Sequence, residues 1–200
     1  WAYKYNITIH NEYIMILDAF KIEIYQTELN LDNNLLQSFC KDYQQHNKTR
    51  QISNVGGYQS DNLDIDNKIL LPFVEQLRLH ASEYTDTLFI DADSDIASMW
   101  FNVNKHGDRN INHNHPDSSI SGVYYVKTPE NCGNIIFNNP GKSIEHLWFN
   151  WQDYKTSNIM FPARENTLYL FPAWLNHFVE SNMNETEERI SISFNISPSK

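Results

Sequence analysis

Apolar and polar residues alternate at the start of the chain, as Tyr3, Tyr5, Ile7 and Ile9, and again as Ile22 and Ile24. A period of two belongs to a strand with one buried face, so residues 1–28 predict one or two strands. The period then changes. Leu35, Leu36, Phe39, Cys40 and Tyr43 recur at helical spacing, with Asn30 or Asp32 placed to cap the first turn. A second helix is predicted over roughly 67–84 from the stripe Ile69, Leu70, Phe73, Val74, Leu77, Ala81 and Tyr84, with Pro72 in its first turn. Both stripes read as core packing. Residues 48–66, with Gly56-Gly57 and Ser60-Asp61-Asn62, read as loop. Asp91, Asp93 and Asp95 resemble the start of a calcium loop, but the glycine and distant Glu that such a loop needs are absent; a solvated turn is predicted.

From Met99 onward, short runs rich in β-branched and aromatic residues alternate with Gly, Pro and Asn turns. The runs are Trp100–Asn104, Ile120–Lys127, Asn134–Phe137, Ser157–Phe161, Thr167–Phe171, Phe178–Ser181 and Arg189–Ile196. With a strand carrying His113 and His115 they make about eight, the cadence of a sandwich or jelly-roll barrel. The predicted architecture is one domain over 1–200, mainly β with flanking helices. Residues 1–98 form a mixed flanking region, and 99–196 form the β core. There is no internal repeat and no low-complexity segment.

Composition narrows the functional classes. The chain has 200 residues, 40% of them hydrophobic and 14% aromatic, enough to bury a sizeable core. A formal net charge of −10 argues against a general nucleic-acid or membrane-surface binder, which would cluster Lys and Arg. It leaves room for a small anion held by one or two buried cations. The two cysteines, Cys40 and Cys132, have no C-x-x-C spacing and read as reduced thiols, which suits a cytoplasmic setting. No segment reaches the roughly 18 apolar residues of a membrane helix. The opening Trp1-Ala2-Tyr3-Lys4-Tyr5 has no signal-peptide character.

The chemistry concentrates in His113-Asn114-His115-Pro116 and in Phe171-Pro172-Ala173-Trp174-Leu175-Asn176-His177. Residues two apart on a strand share a face, so His113 and His115 can present two imidazoles to one point. His177, at the start of another run, can supply a third. Three ligands leave metal positions open, and open positions mean chemistry, whereas a structural site is usually closed by four. A His-x-His pair alone is a weak signal, since such pairs are more often exposed or packed than ligating. His10, His46, His80, His106 and His146 lack comparable company and read as surface or packing residues. Asp117 lies two residues beyond His115 and keeps the strand parity, so a His115 and Asp117 pair is the alternative. Farther on, Arg189-Ile190-Ser191 puts a cation and a hydroxyl on one strand face. A guanidinium inside a barrel needs a planar anionic partner, and a dicarboxylate supplies one bidentately.

These motifs resemble the iron(II)- and 2-oxoglutarate-dependent oxygenases, and most closely those of marine bacteria and their phages. The residues carrying the resemblance are Asn102-Val103-Asn104-x-x-Gly107, His113-Asn114-His115-Pro116, Ser121 to Val126, Gly133 to Phe137, Phe171 to His177 and Arg189 to Asn195. The resemblance spans residues 99–196, and Gly57-Tyr58-Gln59-Ser60 fits it loosely. It implies a double-stranded β-helix of cupin-like, jelly-roll type. It also implies Fe(II), 2-oxoglutarate and O₂ as cofactors, and a cytoplasmic enzyme of a bacterium or a phage-infected host. His113 and His177 fall on the family's two metal histidines, with Gly107 six residues before the first. His115 falls where the family has a carboxylate. Arg189 falls on the basic residue gripping the far carboxylate of 2-oxoglutarate, with Ser191 beside it. Tyr125 falls on a phenol reaching the cosubstrate. Asn102 and Asn104 are candidates for orienting cosubstrate or substrate, and Asn195 is a weaker one.

The reaction so implied converts 2-oxoglutarate and O₂ to succinate and CO₂ while a substrate is hydroxylated. Trp100, Trp148, Trp151 and Trp174 are expected as apolar walls. The long connection 139–156, carrying Trp148, Phe149 and Trp151, is expected to act as a substrate loop or to pack on the barrel end. Other classes remain open. They are a three-His iron dioxygenase of cupin type that needs no 2-oxoglutarate, a non-catalytic β-sandwich binding or virion protein, and a zinc hydrolase with Asp117 as base.

Overall fold

The computed structural model of the chain describes residues 8–9, 15–16, 21–88, 94–141 and 158–198. Thr8–Ile9 (β1) and Met15–Ile16 (β2) pair with each other in a small ladder. The first strand of the main body is Tyr25–Glu28 (β3), just past the predicted Ile22 and Ile24. Tyr3, Tyr5, Ile7, Asp91, Asp93, Trp148, Phe149 and Trp151 lie outside the described residues.

Helix α1 spans Asn33–His46, and Asp32 caps it by accepting a hydrogen bond from the Leu35 amide at 3.0 Å. Helix α2 spans Leu71–Thr87 and begins later than predicted. Asn67 forms a turn that takes over its expected first residues, its backbone carbonyl accepting from Leu70 and Leu71 and its side chain from Ile69. Pro72 then sits in the first turn, where its missing N–H costs nothing.

The predicted loop 48–66 holds two short strands, Asn54–Val55 (β4) and Tyr58–Gln59 (β5). The remaining strands are Ser94–Asn104 (β6), Arg109–His113 (β7), Ile120–Lys127 (β8), Ile135–Asn138 (β9), Asn158–Phe161 (β10), Thr167–Pro172 (β11), His177–Val179 (β12) and Arg189–Pro198 (β13). A six-stranded sheet runs β3-β11-β8-β13-β6-β5, and a five-stranded sheet runs β10-β9-β12-β7-β4. The protein has the predicted double-stranded β-helix fold, although hydrogen bonding does not close the two sheets into one ring. The corner Gly56-Gly57 carries the chain from β4 in one sheet to β5 in the other. Both glycines have positive φ, 68° and 63°, a region that favours glycine.

The larger sheet has a dry face and a polar face. Ile190, Ile192, Phe194 and Ile196 of β13 join Phe101, Val103, Leu168 and Leu170 against Leu36 and Cys40 of α1 and Phe73, Val74 and Leu77 of α2. Full burial of each such side chain contributes about 1.5–3 kcal/mol. Strand period two sends Arg189, Ser191, Ser193 and Asn195 to the opposite face, toward the smaller sheet. There a second apolar cluster, including Tyr125, Phe137, Tyr169 and Phe171, lines the space between the sheets. Among the described residues, no helix is long and apolar enough to cross a membrane.

Candidate metal centre and cosubstrate pocket

His113 ends β7 and His177 opens β12, and the two are register partners across adjacent antiparallel strands. His115 lies just beyond the end of β7, where its amide donates to the Ala173 carbonyl at 2.9 Å. The ligand atoms of His113, His115 and His177 lie within 4.8 Å of one another. Nδ1 of His113 is 2.7 Å from the Ile111 carbonyl, and Nδ1 of His177 is 2.9 Å from the Leu175 carbonyl. A carbonyl only accepts, so each Nδ1 carries the proton and each Nε2 keeps a free lone pair. Among the described residues, the His115 ring has no such anchor and leans on Trp100, with centroids 5.9 Å apart.

Burial holds all three imidazoles in the neutral, ligating form. His177 is pushed down to about 3 by desolvation first and by His113 second. His115 is pushed down to about 4 by the same two causes, and desolvation lowers His113. Three neutral nitrogens suit a divalent transition metal. Asp117 is exposed in the turn that follows and does not join the cluster; its backbone carbonyl accepts from Ser197 Oγ at 3.2 Å.

A cavity leads inward from the imidazoles to Arg189, lined also by Tyr125, Ser191, Asn102, Phe171 and Val179. Arg189 is 1% exposed. Its Nη1 donates to the carbonyls of Cys132 and Glu180, while Nη2 is buried with no partner among the described residues. No carboxylate of the described residues forms an ion pair with it, and desolvation lowers its pKa. Tyr125 Oη and Asn102 Oδ1 are likewise buried without partners. An orphaned polar atom of this kind costs about 1–3 kcal/mol, and a charged one more. The open guanidinium and phenol beside one cavity match the charge and donor needs of a small dicarboxylate. Ser191 shares this wall.

Other predicted residues lie elsewhere. Asn104 is buried against Gly57, where a Cβ on that glycine would come within 3.1 Å of Asn104 Nδ2, and it does not line the cavity. Asn195 is tied to Ser121 and Ser98, at 2.7 and 3.1 Å. Trp100 lines the cavity as expected, whereas Trp174 is 52% exposed and does not wall it. Sequence reasoning missed Arg50, Ile52, Ser53, Gln59 and Ile111, which flank a second groove shared with His113 and His115. The available signal was the loose fit of Gly57-Tyr58-Gln59-Ser60 to the family pattern.

Two facing sheets with three converging imidazoles above a buried cation define a non-haem metal oxygenase of the double-stranded β-helix type. The chain belongs to the iron(II)- and 2-oxoglutarate-dependent oxygenases; residues 98–195 match the family described as "Putative 2OG-Fe(II) oxygenase". Fe(II) and 2-oxoglutarate are thus its metal and cosubstrate. The fold is similar to that of a Pseudomonas putida prolyl-4-hydroxylase, with TM-score 0.66 and 14% identity over 90% of this chain and 94% of that one. It is also similar to HygX from Streptomyces hygroscopicus with nickel and 2-oxoglutarate bound, with TM-score 0.62 and 9% identity over 89% and 84%. A third similar structure is the collagen prolyl hydroxylase of Paramecium Bursaria Chlorella virus-1 in complex with 2-oxoglutarate, with TM-score 0.58 and 12% identity over 88% and 96%. No curated protein sequence matches the chain.

Proposed function

We propose that this oxygenase is a hydroxylase in which His113, His115 and His177 hold Fe(II) and Arg189 receives the far carboxylate of 2-oxoglutarate. The observation that carries the reading is the buried, half-partnered guanidinium of Arg189 in the cavity that the three histidines share. When bound, the iron supplies the activation of O₂, and 2-oxoglutarate supplies two electrons as it becomes succinate and CO₂. The net change converts a substrate C–H to C–OH, with one oxygen atom entering the product and the other entering succinate.

The chain's own residues bind and orient. His113 and His177 are fixed as Nε2 donors by their carbonyl partners. Arg189 Nη2 and Tyr125 Oη donate to the carboxylate, and Ser191 adds a hydroxyl on the same strand face. Phe171, Val179 and Val123 keep the cavity walls apolar and limit water. Arg189 also favours this reading over a three-His dioxygenase that binds its substrate on the metal, because such an enzyme has no need of a buried anion site behind the iron. A chain of net charge −10 disfavours polyanionic substrates and membrane surfaces.

The test is anaerobic addition of Fe(II) and then 2-oxoglutarate, watching for the visible charge-transfer band of the chelate. Wild type develops the band. Arg189→Ala keeps the iron but binds 2-oxoglutarate more weakly by about 2–5 kcal/mol, roughly 30-fold to several-thousand-fold. Arg189→Lys, which retains the charge, falls between. Unchanged 2-oxoglutarate affinity in Arg189→Ala sinks the assignment.

A further inference from the structure

Two of the three histidines are locked and the third is not. His113 and His177 each commit Nδ1 to a backbone carbonyl, whereas neither ring nitrogen of His115 has a hydrogen-bond partner among the described residues. His115 lies beyond the end of β7, and what is tied there is its backbone: its amide donates to Ala173, and its carbonyl accepts from the Ser118 amide at 3.2 Å. An imidazole so placed can turn about its Cβ–Cγ bond and exchange Nδ1 for Nε2, because that torsion has two broad wells. Packing must then do what a hydrogen bond does for the other two.

Trp100 supplies that packing from the other sheet. Its indole lies 5.9 Å from the His115 ring, tilted by 42°. The backbone beneath it is held on both edges. On one edge the Met99 amide donates to Asn62 Oδ1 at 2.7 Å and the Phe101 amide to Ser60 Oγ at 3.0 Å. The amides of Leu63 and Ser60 return bonds to the Met99 and Phe101 carbonyls, at 2.7 and 3.0 Å. On the other edge Trp100 is the register partner of Ser193 on β13. The side chains of Met99 and Phe101 are fully buried in the core on the far face. A ring carried on such a backbone can restrain a neighbour that its own turn leaves free. The same indole lines the inner cavity and the second groove, of about 330 Å³, whose walls also carry Arg50, Ile52 and Gln59.

We propose that Trp100 is a positioning residue for the metal: its indole holds the His115 imidazole in the ligating pose, the part that the Ile111 and Leu175 carbonyls play for His113 and His177. The proposal rests on the reading of His115 as a ligand. It differs from a purely structural role, in which the indole fills the wall of the cavity and acts on the metal through the fold alone. The two roles separate when His115 is removed, because a positioning residue then has nothing left to position.

The test is anaerobic titration of the full chain with Co(II), whose d–d bands report the number and arrangement of its ligands. Trp100→Ala is expected to weaken Co(II) binding about 2- to 10-fold, the value of one aromatic contact, and to shift the d–d bands. Trp100→Phe, which keeps a ring on the strand, recovers part of both. Should Trp100→Ala fail to fold, Trp100→Leu keeps apolar bulk at the position and removes the ring, and the same losses are expected of it. In the His115→Ala background the Trp100 substitution is expected to change neither affinity nor spectrum further, so the two effects do not add. A structural tryptophan would weaken binding equally in both backgrounds. That equal loss, or wild-type affinity and spectrum in the folded Trp100 variants, overturns the proposal while His115→Ala still loses metal. Unaltered Co(II) affinity in His115→Ala is a separate failure: it removes His115 from the ligand set and overturns the reading on which the proposal stands.

Discussion

His115 differs from its two companions in what holds it. His113 and His177 are pinned through Nδ1 to backbone carbonyls, whereas the His115 ring only leans on Trp100. A ligand with its outer hydrogen bond in place is pre-oriented, and losing such support typically costs 10- to 100-fold in metal affinity. His113→Ala and His177→Ala are therefore expected to lower Fe(II) affinity about 10-fold or more beyond His115→Ala, as measured by anaerobic titration. Equal losses in all three would mean that the carbonyl partners contribute little. The convergence of the three histidines, and the cavity they share with Arg189, were legible in the sequence because i, i+2 spacing on strands leaves a mark in one dimension. The choice of His115 over Asp117 was not. Both satisfy strand parity, and only the chain's exit from β7 at His113 decides which side chain turns toward His177 and which turns to solvent.

At the scale of the element, β13 explains why parity was so informative. Arg-Ile-Ser-Ile-Ser-Phe-Asn-Ile alternates strictly, and each half of the alternation has its own destination: the isoleucines and Phe194 face the helices, while Arg189, Ser191 and Ser193 face the cavity and Asn195 the neighbouring groove. Ile192→Ala should cost about 2–5 kcal/mol in denaturant unfolding and leave Fe(II) and 2-oxoglutarate affinities unchanged in the folded fraction. The strands β4 and β5 went unread because two residues carry no period. They exist through pairing with β7 and β6, about 50 residues away in sequence. Their corner is tight. A Cβ on Gly56 would lie 2.0 Å from Asp108 Oδ1, and Asp108 itself accepts from the Lys105 amide at 2.7 Å to hold the β6–β7 turn. Gly56→Ala should thus cost more than the about 1–2 kcal/mol of a left-handed backbone alone. Thermal unfolding measures it, and the wall carrying Arg50 and Gln59 should loosen with it.

For the whole molecule, the layers run helices, larger sheet, reaction chamber, smaller sheet. Without bound metal, the protein's stability should depend on acid. The buried imidazoles titrate below the ordinary histidine value of about 6.5, at about 4 for His115 and about 3 for His177. Below pH 6.5 the unfolded chain takes up protons that the folded chain refuses, so their contribution to stability is intact above 6.5 and falls as pH drops toward 4. Replacing His113, His115 and His177 together with Asn should flatten the decline in urea midpoint between pH 6.5 and 4; an unchanged slope would place the acid sensitivity elsewhere. The layer order was legible from the helical stripes followed by β runs, but the separation of roles across one sheet was not, since the sequence does not say which face of a strand the helices cover. That separation bears on how the protein can change over generations. Side chains that hold the larger sheet to its helices and side chains that line the cavity and groove occupy opposite faces of the same strands, so a new specificity does not have to be traded against folding. Randomising Trp100, Ser193 and Asn195 should return mostly folded proteins with altered appetites, whereas the same diversity at Phe101, Ile192 and Phe194 should return mostly aggregates.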